Sequence, residues 1–179
     1  MRIGGWRFAG ERPEFPKFVA IGAPHTSNWD FIVFLSVMSH FRIPARVIGK
    51  HSLVRWPFGG LMRRLGIIPL RRDSGHGMVE QMIEEFESAE SMAVTIAPEA
   101  TRKANAYWRT GFYHIAMAAE VPIVLAYIDA ENKMAGIGPT IHPTGDIEAD
   151  IAKIREFYAP LRGFRPENQG PIRLRPDDG

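Results

Sequence analysis

The stretch Lys17-Phe-Val-Ala-Ile21-Gly-Ala-Pro-His25-Thr-Ser-Asn-Trp-Asp30-Phe-Ile-Val-Phe-Leu-Ser-Val-Met38 decides the fold class. Residues 17–21 form a short run of branched and aromatic side chains bounded by Gly and Pro, which predicts a strand. Residues 29–41 carry a longer apolar pattern that predicts a helix. Outward from this unit, 45–49, 67–70, 92–97 and 121–128 also read as strands, and 52–65, 76–89, 108–120 and 147–158 as helices. Strands alternating with helices imply an α/β fold, a single layered domain with a largely parallel central sheet flanked by helices. A chain of 179 residues, 45% hydrophobic, sustains one sizeable core, so residues 1–179 are expected to form one domain. The tail, about 162–179, is rich in Pro, Arg, Asn and Asp and reads as irregular surface chain.

Composition removes several chemistries. There is no cysteine, which excludes disulfides, thiolate metal sites and a cysteine nucleophile. The N-terminus, Met1-Arg-Ile-Gly-Gly-Trp-Arg-Phe-Ala-Gly10, lacks the apolar run of a signal peptide. The longest apolar stretch, 31–38, falls short of the roughly 18 residues a spanning helix requires, so the chain is expected not to cross a membrane. The net charge of +2 hides a segregated pattern. Residues 31–72 contain no Asp or Glu but eight cations, interleaved with Leu53, Trp56, Phe58 and Met62. That pattern suits the headgroup boundary of an anionic bilayer; a buried amphipathic helix whose Arg stems cover the core is the alternative. Glu80, Glu84, Glu85, Glu87 and Glu90 read as a solvated helix face.

In layered α/β folds, polar chemistry gathers where strands end and helices begin. Three junctions stand out. In the first, His25 follows a strand and Asp30 opens a helix. On one continuous helix their five-residue offset is about 140° of rotation, so His25 belongs in the loop, with Thr26, Ser27 or Asn28 capping the helix. Asp30 then reaches back to the imidazole, fixing its tautomer and leaving the other nitrogen as a general base. An N-capping Asp beside an incidental loop His fits the same residues. In the second junction, 66–73, a strand delivers Arg71 and Arg72, a guanidinium pair that forms either an anion clamp or ion pairs with Asp73 and the acidic helix. The third, Ile96-Ala-Pro-Glu-Ala-Thr-Arg-Lys103, holds one carboxylate and two cations in one loop, to grip a phosphate and a polyol or to pair internally. The segment Trp108-Arg-Thr-Gly-Phe-Tyr-His-Ile115 reads as a core-packing helix face.

In order, these blocks resemble the glycerolipid acyltransferase family, which includes bacterial 1-acylglycerol-3-phosphate acyltransferases. The resemblance spans about 18–128. The family's Asn-His-x-Ser-x-x-Asp is similar to Pro24-His-Thr-Ser-Asn-Trp-Asp30, with Pro24 in place of Asn. Its Gly followed six residues later by Arg matches Gly66 and Arg72. Its Pro-Glu-Gly-Thr-Arg resembles Pro98-Glu-Ala-Thr-Arg102, and its Val-Pro-Ile-Val-Pro resembles Val121-Pro-Ile-Val-Leu125. The resemblance implies that His25 is the general base, Asp30 its orienting partner, and Ser27, Arg72, Glu99, Thr101 and Arg102 the substrate-binding set. At Ala100 two possibilities stay open: the methyl narrows the approach to a phosphate, or the loop has no need of positive φ.

The implied reaction transfers a fatty acyl group from acyl-CoA or acyl-carrier protein to a hydroxyl of a glycerophosphate or lysophospholipid. It uses no metal and no cofactor beyond the thioester co-substrate. Backbone N–H groups at the helix start near Thr26 are the expected oxyanion donors. Transfer to another lysolipid or glycolipid, and a non-catalytic module binding an anionic membrane, are the rivals. Nucleic acid is not an expected partner, because no binding motif accompanies the cations. The expected setting is cytoplasmic, peripheral on the inner face of the membrane.

Overall fold

The computed structural model describes residues 2–3, 5–49, 60, 66–69 and 77–175. Among these residues eight strands, β1 (Arg2–Ile3), β2 (Trp6–Ala9), β3 (Lys17–Ala23), β4 (Ala45–Gly49), β5 (Ile67–Pro69), β6 (Met92–Ile96), β7 (Ile123–Asp129) and β8 (Met134–Ile141), form one sheet. Its order is β1-β2-β8-β7-β3-β6-β4-β5. The central strand β3 runs parallel to both β6 and β7. Only the β1–β2 and β7–β8 pairs are antiparallel, so the expected largely parallel sheet is present.

Strand β3 reads as an unbroken apolar run because both faces of the sheet are covered; Val19, Ala20 and Ile21 are fully buried. The period of two then sorts its side chains. Val19 and Ile21 join a core built with Met82 of α2 (Met78–Ser88), Phe112 and Ile115 of α3 (Gly111–Ala118), and Ile151 and Ile154 of α4 (Ile147–Tyr158). Phe18 and Ala20 face the other way, onto Val37 and Met38 of α1 (Asn28–His40). Among the described helices, α1 therefore covers one face, and α2, α3 and α4 cover the other. Each fully buried Val, Ile or Phe contributes roughly 1.5–3 kcal/mol to this layering. Tyr158 ties α4 to the sheet, its hydroxyl donating to Ala126 O at 2.9 Å with Ile21 O 3.1 Å away.

The segment 108–120 begins its helix later than its pattern predicts. Trp108 N–H donates to Arg173 O and Arg109 N–H to Pro98 O, which ties both residues outside the helix until Thr110, the N-cap of α3. Trp108, Phe112, Tyr113 and Ile115 are buried, as a core-packing face requires. Strands β1, β2 and β8 were not expected: the first two are short, and the Gly and Pro in Met134-Ala-Gly-Ile-Gly-Pro-Thr-Ile141 break the strand pattern of β8. The exposed Glu80, Glu84, Glu87 and Glu90 fit a solvated face, while Glu85 pairs with Arg46 at 3.7 Å. The predicted helix 52–65 lies outside the described residues, apart from residue 60, as do Arg71, Arg72 and Asp73.

The described part of the tail is irregular and largely exposed, but several of its residues anchor it to the body of the protein. Leu174 is buried, Ile172 and Leu161 pack on the core, and the Phe164 ring lies 5.5 Å from Trp6. Gly163 presses flat on Thr26; a Cβ there would meet Thr26 Oγ1 at 2.5 Å. Arg165 N–H donates to Thr26 Oγ1 at 3.1 Å and Asn168 Nδ2 to Thr26 O at 3.4 Å. Polar composition correctly signalled irregular backbone, but irregular backbone also packs when its donors find acceptors. Among the described residues no helix is long and apolar enough to cross a membrane.

Candidate active site

Strands β3 and β6 pair in parallel with Ile21 opposite Ile96, so the loops that follow them leave the sheet side by side. That register brings the first and third junctions together: His25 N–H donates to Glu99 Oε1 at 3.0 Å. Gly66 of the second junction has φ 83°, and a Cβ there would lie 2.5 Å from Ala45 O, a position only glycine fills without strain.

Local rules build the His25–Asp30 pair. Ser27 is the N-cap of α1, its hydroxyl accepting Trp29 N–H at 3.3 Å, and Asp30 completes a capping box. Asp30 Oδ2 accepts the backbone N–H groups of Thr26 and Ser27 and also lies 3.3 Å from His25 Nδ1. One carboxylate thus both caps the helix and engages the imidazole, a geometry that fits either reading of this junction. The first turn of a helix favours that negative charge. The same geometry narrows the expected oxyanion donors at the start of the helix: the N–H groups of Thr26 and Ser27 are committed to Asp30, and that of Trp29 to Ser27. With Nδ1 beside Asp30, Nε2 has no hydrogen-bond partner among the described residues, and His25 is 28% exposed.

Three buried polar atoms around this pair, Asp30 Oδ1, Glu99 Oε2 and Thr95 Oγ1, also have no hydrogen-bond partner among the described residues. Burial pushes the Glu99 carboxyl from 4.5 up to about 7, against the lowering effect of hydrogen bonds from backbone groups, including His25 N–H. Through Oε1, Glu99 also holds the His25 backbone N–H. Ala100 has φ 55°, so the loop does adopt the left-handed conformation that glycine favours, and the alternative without positive φ is wrong. The left-handed region costs a non-glycine residue roughly 1 kcal/mol.

His25 lines two cavities of opposite character. The first is apolar, walled by Phe31, Phe34, Val37, Ala126 and Ile128. The second, of about 560 Å³, is lined by Thr101, Arg102 and Arg109, with no Asp or Glu among its lining residues. The structure thus gathers His25, Asp30, Glu99, Thr101 and Arg102 around one centre; Ser27 sits at its edge as a helix cap, and Arg72 is outside the described residues. Sequence reasoning missed Arg109, whose only signal was a cation next to a predicted helix start. It also missed Thr95, a single hydroxyl in an apolar strand that lines both cavities.

A family model described as Acyltransferase matches residues 14–129. The chain belongs to the acyltransferase family. The matched region of this acyltransferase-family chain runs through β7 and contains both loops of the site. The 1-acyl-sn-glycerol-3-phosphate acyltransferase of Escherichia coli (strain K12) is 29% identical over 109 residues, covering 57% of this chain and 43% of the relative. The crystal structure of the 1-acyl-sn-glycerophosphate (LPA) acyltransferase PlsC from Thermotoga maritima superposes with a TM-score of 0.57 at 19% identity. It covers 82% of this chain and 65% of that one, a likeness of fold. The chain thus spans less than two thirds of the length of either relative.

Proposed function

We propose that the chain is an O-acyltransferase moving a fatty acyl group from acyl-CoA or acyl-carrier protein to a hydroxyl of a glycerophosphate or lysophospholipid. One observation carries this reading: a His whose Nδ1 is held by a buried Asp stands between an apolar cavity and a cationic one. Nε2 of His25 takes the hydroxyl proton while the oxygen attacks the thioester carbonyl. The C–S bond then breaks, and the imidazolium returns the proton to the leaving thiolate. Asp30 stabilises the imidazolium and fixes its tautomer. The acyl chain occupies the apolar cavity, and Arg102 and Arg109 hold the acceptor phosphate. The identity of the E. coli and T. maritima relatives favours this acceptor class over other lysolipids or glycolipids.

The test is thiol release from acyl-CoA and acyl-carrier protein, with and without lysophosphatidate. Acceptor-dependent release is expected to fall about 10²- to 10⁴-fold in His25→Ala. Release equal in both chains, or absent with every donor and lysolipid, overturns the reading and leaves the non-catalytic membrane module.

The reaction needs access to lipid, and α1 offers it. Trp29, Phe31, Ile32 and Leu35 are exposed by 62%, 45%, 53% and 40%, and Phe31 also lines the apolar cavity, so bilayer and cavity meet at one helix. Peripheral docking on an anionic membrane is therefore part of the proposal. Trp29→Ser with Leu35→Ser is expected to lower cosedimentation with anionic vesicles severalfold; unchanged cosedimentation would remove α1 from the docking surface.

A further inference from the structure

Thr101 and Arg102 face a second polar cleft besides the one they share with His25. Its other walls include Lys103 and, from the tail, Arg165 and Asn168; His25 does not line it, and neither does any Asp or Glu. Arg102, Lys103 and Arg165 make no ion pair among the described residues. Three cations thus converge on one cleft without internal neutralisation, an arrangement that favours an anionic ligand. Arg165 is held in place by its backbone, through its N–H to Thr26 Oγ1 at 3.1 Å, and the neighbouring Asn168 reaches Thr26 O. Thr26 itself is buried at the entry to α1, next to His25.

Resting on the acyl-transfer reading, we infer that this cleft takes the phosphate end of the phosphopantetheine thioester donor. The chemistry of the two substrates sorts them between the two cationic clefts. In a glycerophosphate acceptor the reacting hydroxyl and the phosphate are separated by only a few bonds, so its phosphate belongs in the cleft that His25 lines. In the donor, the whole pantetheine arm separates the thioester from the nearest phosphate. Its phosphates belong in a cleft adjoining the reacting centre but not touching it. Arg102, on the wall between the clefts, serves both. Arg165 and Asn168 are then donor-specificity residues supplied from beyond the matched family region, which ends at residue 129.

The experiment titrates CoA, pantetheine and holo-carrier protein into the full chain and into Arg165→Ala and Lys103→Ala, by calorimetry at two salt concentrations. Losing one charged phosphate contact is expected to weaken CoA binding about tenfold, the equivalent of 1.4 kcal/mol. Pantetheine, which has no phosphate, is expected to bind native and variant chains equally. In turnover the donor KM rises in Arg165→Ala while the acceptor KM does not. A loss confined to holo-carrier protein supports the site and assigns the donor to the carrier. Equal losses for CoA and pantetheine, no loss for either donor, or a rise in acceptor KM alone would each overturn the assignment. Binding is scored without turnover and also in His25→Ala. Arg165-dependent CoA binding in a chain that transfers no acyl group would therefore sink the reaction and leave the cleft standing.

Discussion

Two buried acidic centres in this molecule have opposite characters. Asp150, at the start of α4, is fully buried and surrounded by donors: Tyr113 OH at 3.0 Å, Thr144 N–H at 2.7 Å and Thr144 Oγ1 at 3.0 Å on one oxygen, and Lys153 Nζ at 3.0 Å on the other. Burial alone would raise its carboxyl, but these bonds outweigh it and hold the group below 3.8. Beside His25, each of Asp30 and Glu99 keeps one buried oxygen with no partner among the described residues, and Glu99 is pushed up to about 7. The difference separates structure from chemistry. A carboxylate with both oxygens engaged ties α3 and α4 to the loop between β8 and α4, whereas a carboxylate left incompletely engaged next to a His keeps a capacity for proton transfer or for ligand.

Substitutions can break that contrast. The largest effect is expected for Asp30→Asn, whose amide still caps α1 but cannot stabilise an imidazolium. Acyl transfer should fall about 10²- to 10⁴-fold with the melting temperature shifted by only a few degrees. A collapse in melting temperature with activity retained would mean that Asp30 is structural, like Asp150. Next, Asp150→Ala strands the buried Tyr113 hydroxyl and leaves the Thr144 N–H and Lys153 without their acceptor. It should cost about 1–3 kcal/mol in denaturant unfolding while the donor and acceptor KM of the folded fraction hold; a specific loss of turnover would erase the distinction.

The smallest effect is a matter of sign. The folded pKa of Glu99 is raised, so its neutral form supports the fold fully below about 4.5, and that support is lost as pH climbs to about 7. The rise corresponds to at most about 3 kcal/mol. Asp150 behaves inversely, contributing above 3.8 and losing its contribution as pH falls further. Glu99→Gln should therefore flatten the decline in stability between pH 4.5 and 7, measured by urea unfolding at several pH values. A slope that survives the substitution would show that Glu99 does not titrate there.

Much of this was legible in the sequence. Among the described residues, the order of strands and helices from Lys17 to Ile128 follows from hydrophobic period and from Gly and Pro punctuation, both local properties of the chain. The His25 to Asp30 spacing required a strand-to-helix loop, and the Pro98 to Arg102 block marked the second loop of the site, because caps and turns are decided within a few residues. Other features were not local. That Glu99 supports His25 depends on the in-register pairing of β3 with β6, and the two cavities need α1 packed on one face of the sheet and α2 and α3 on the other. Positive φ at Ala100 shows in the backbone and not in the residue name. Arg165 lies 139 residues from Thr26 in the chain and reaches it only because the tail packs back across the loop. Short-range propensity and spacing determine which groups the chain can offer, while the pairing of distant strands and the docking of the tail decide which of those groups meet.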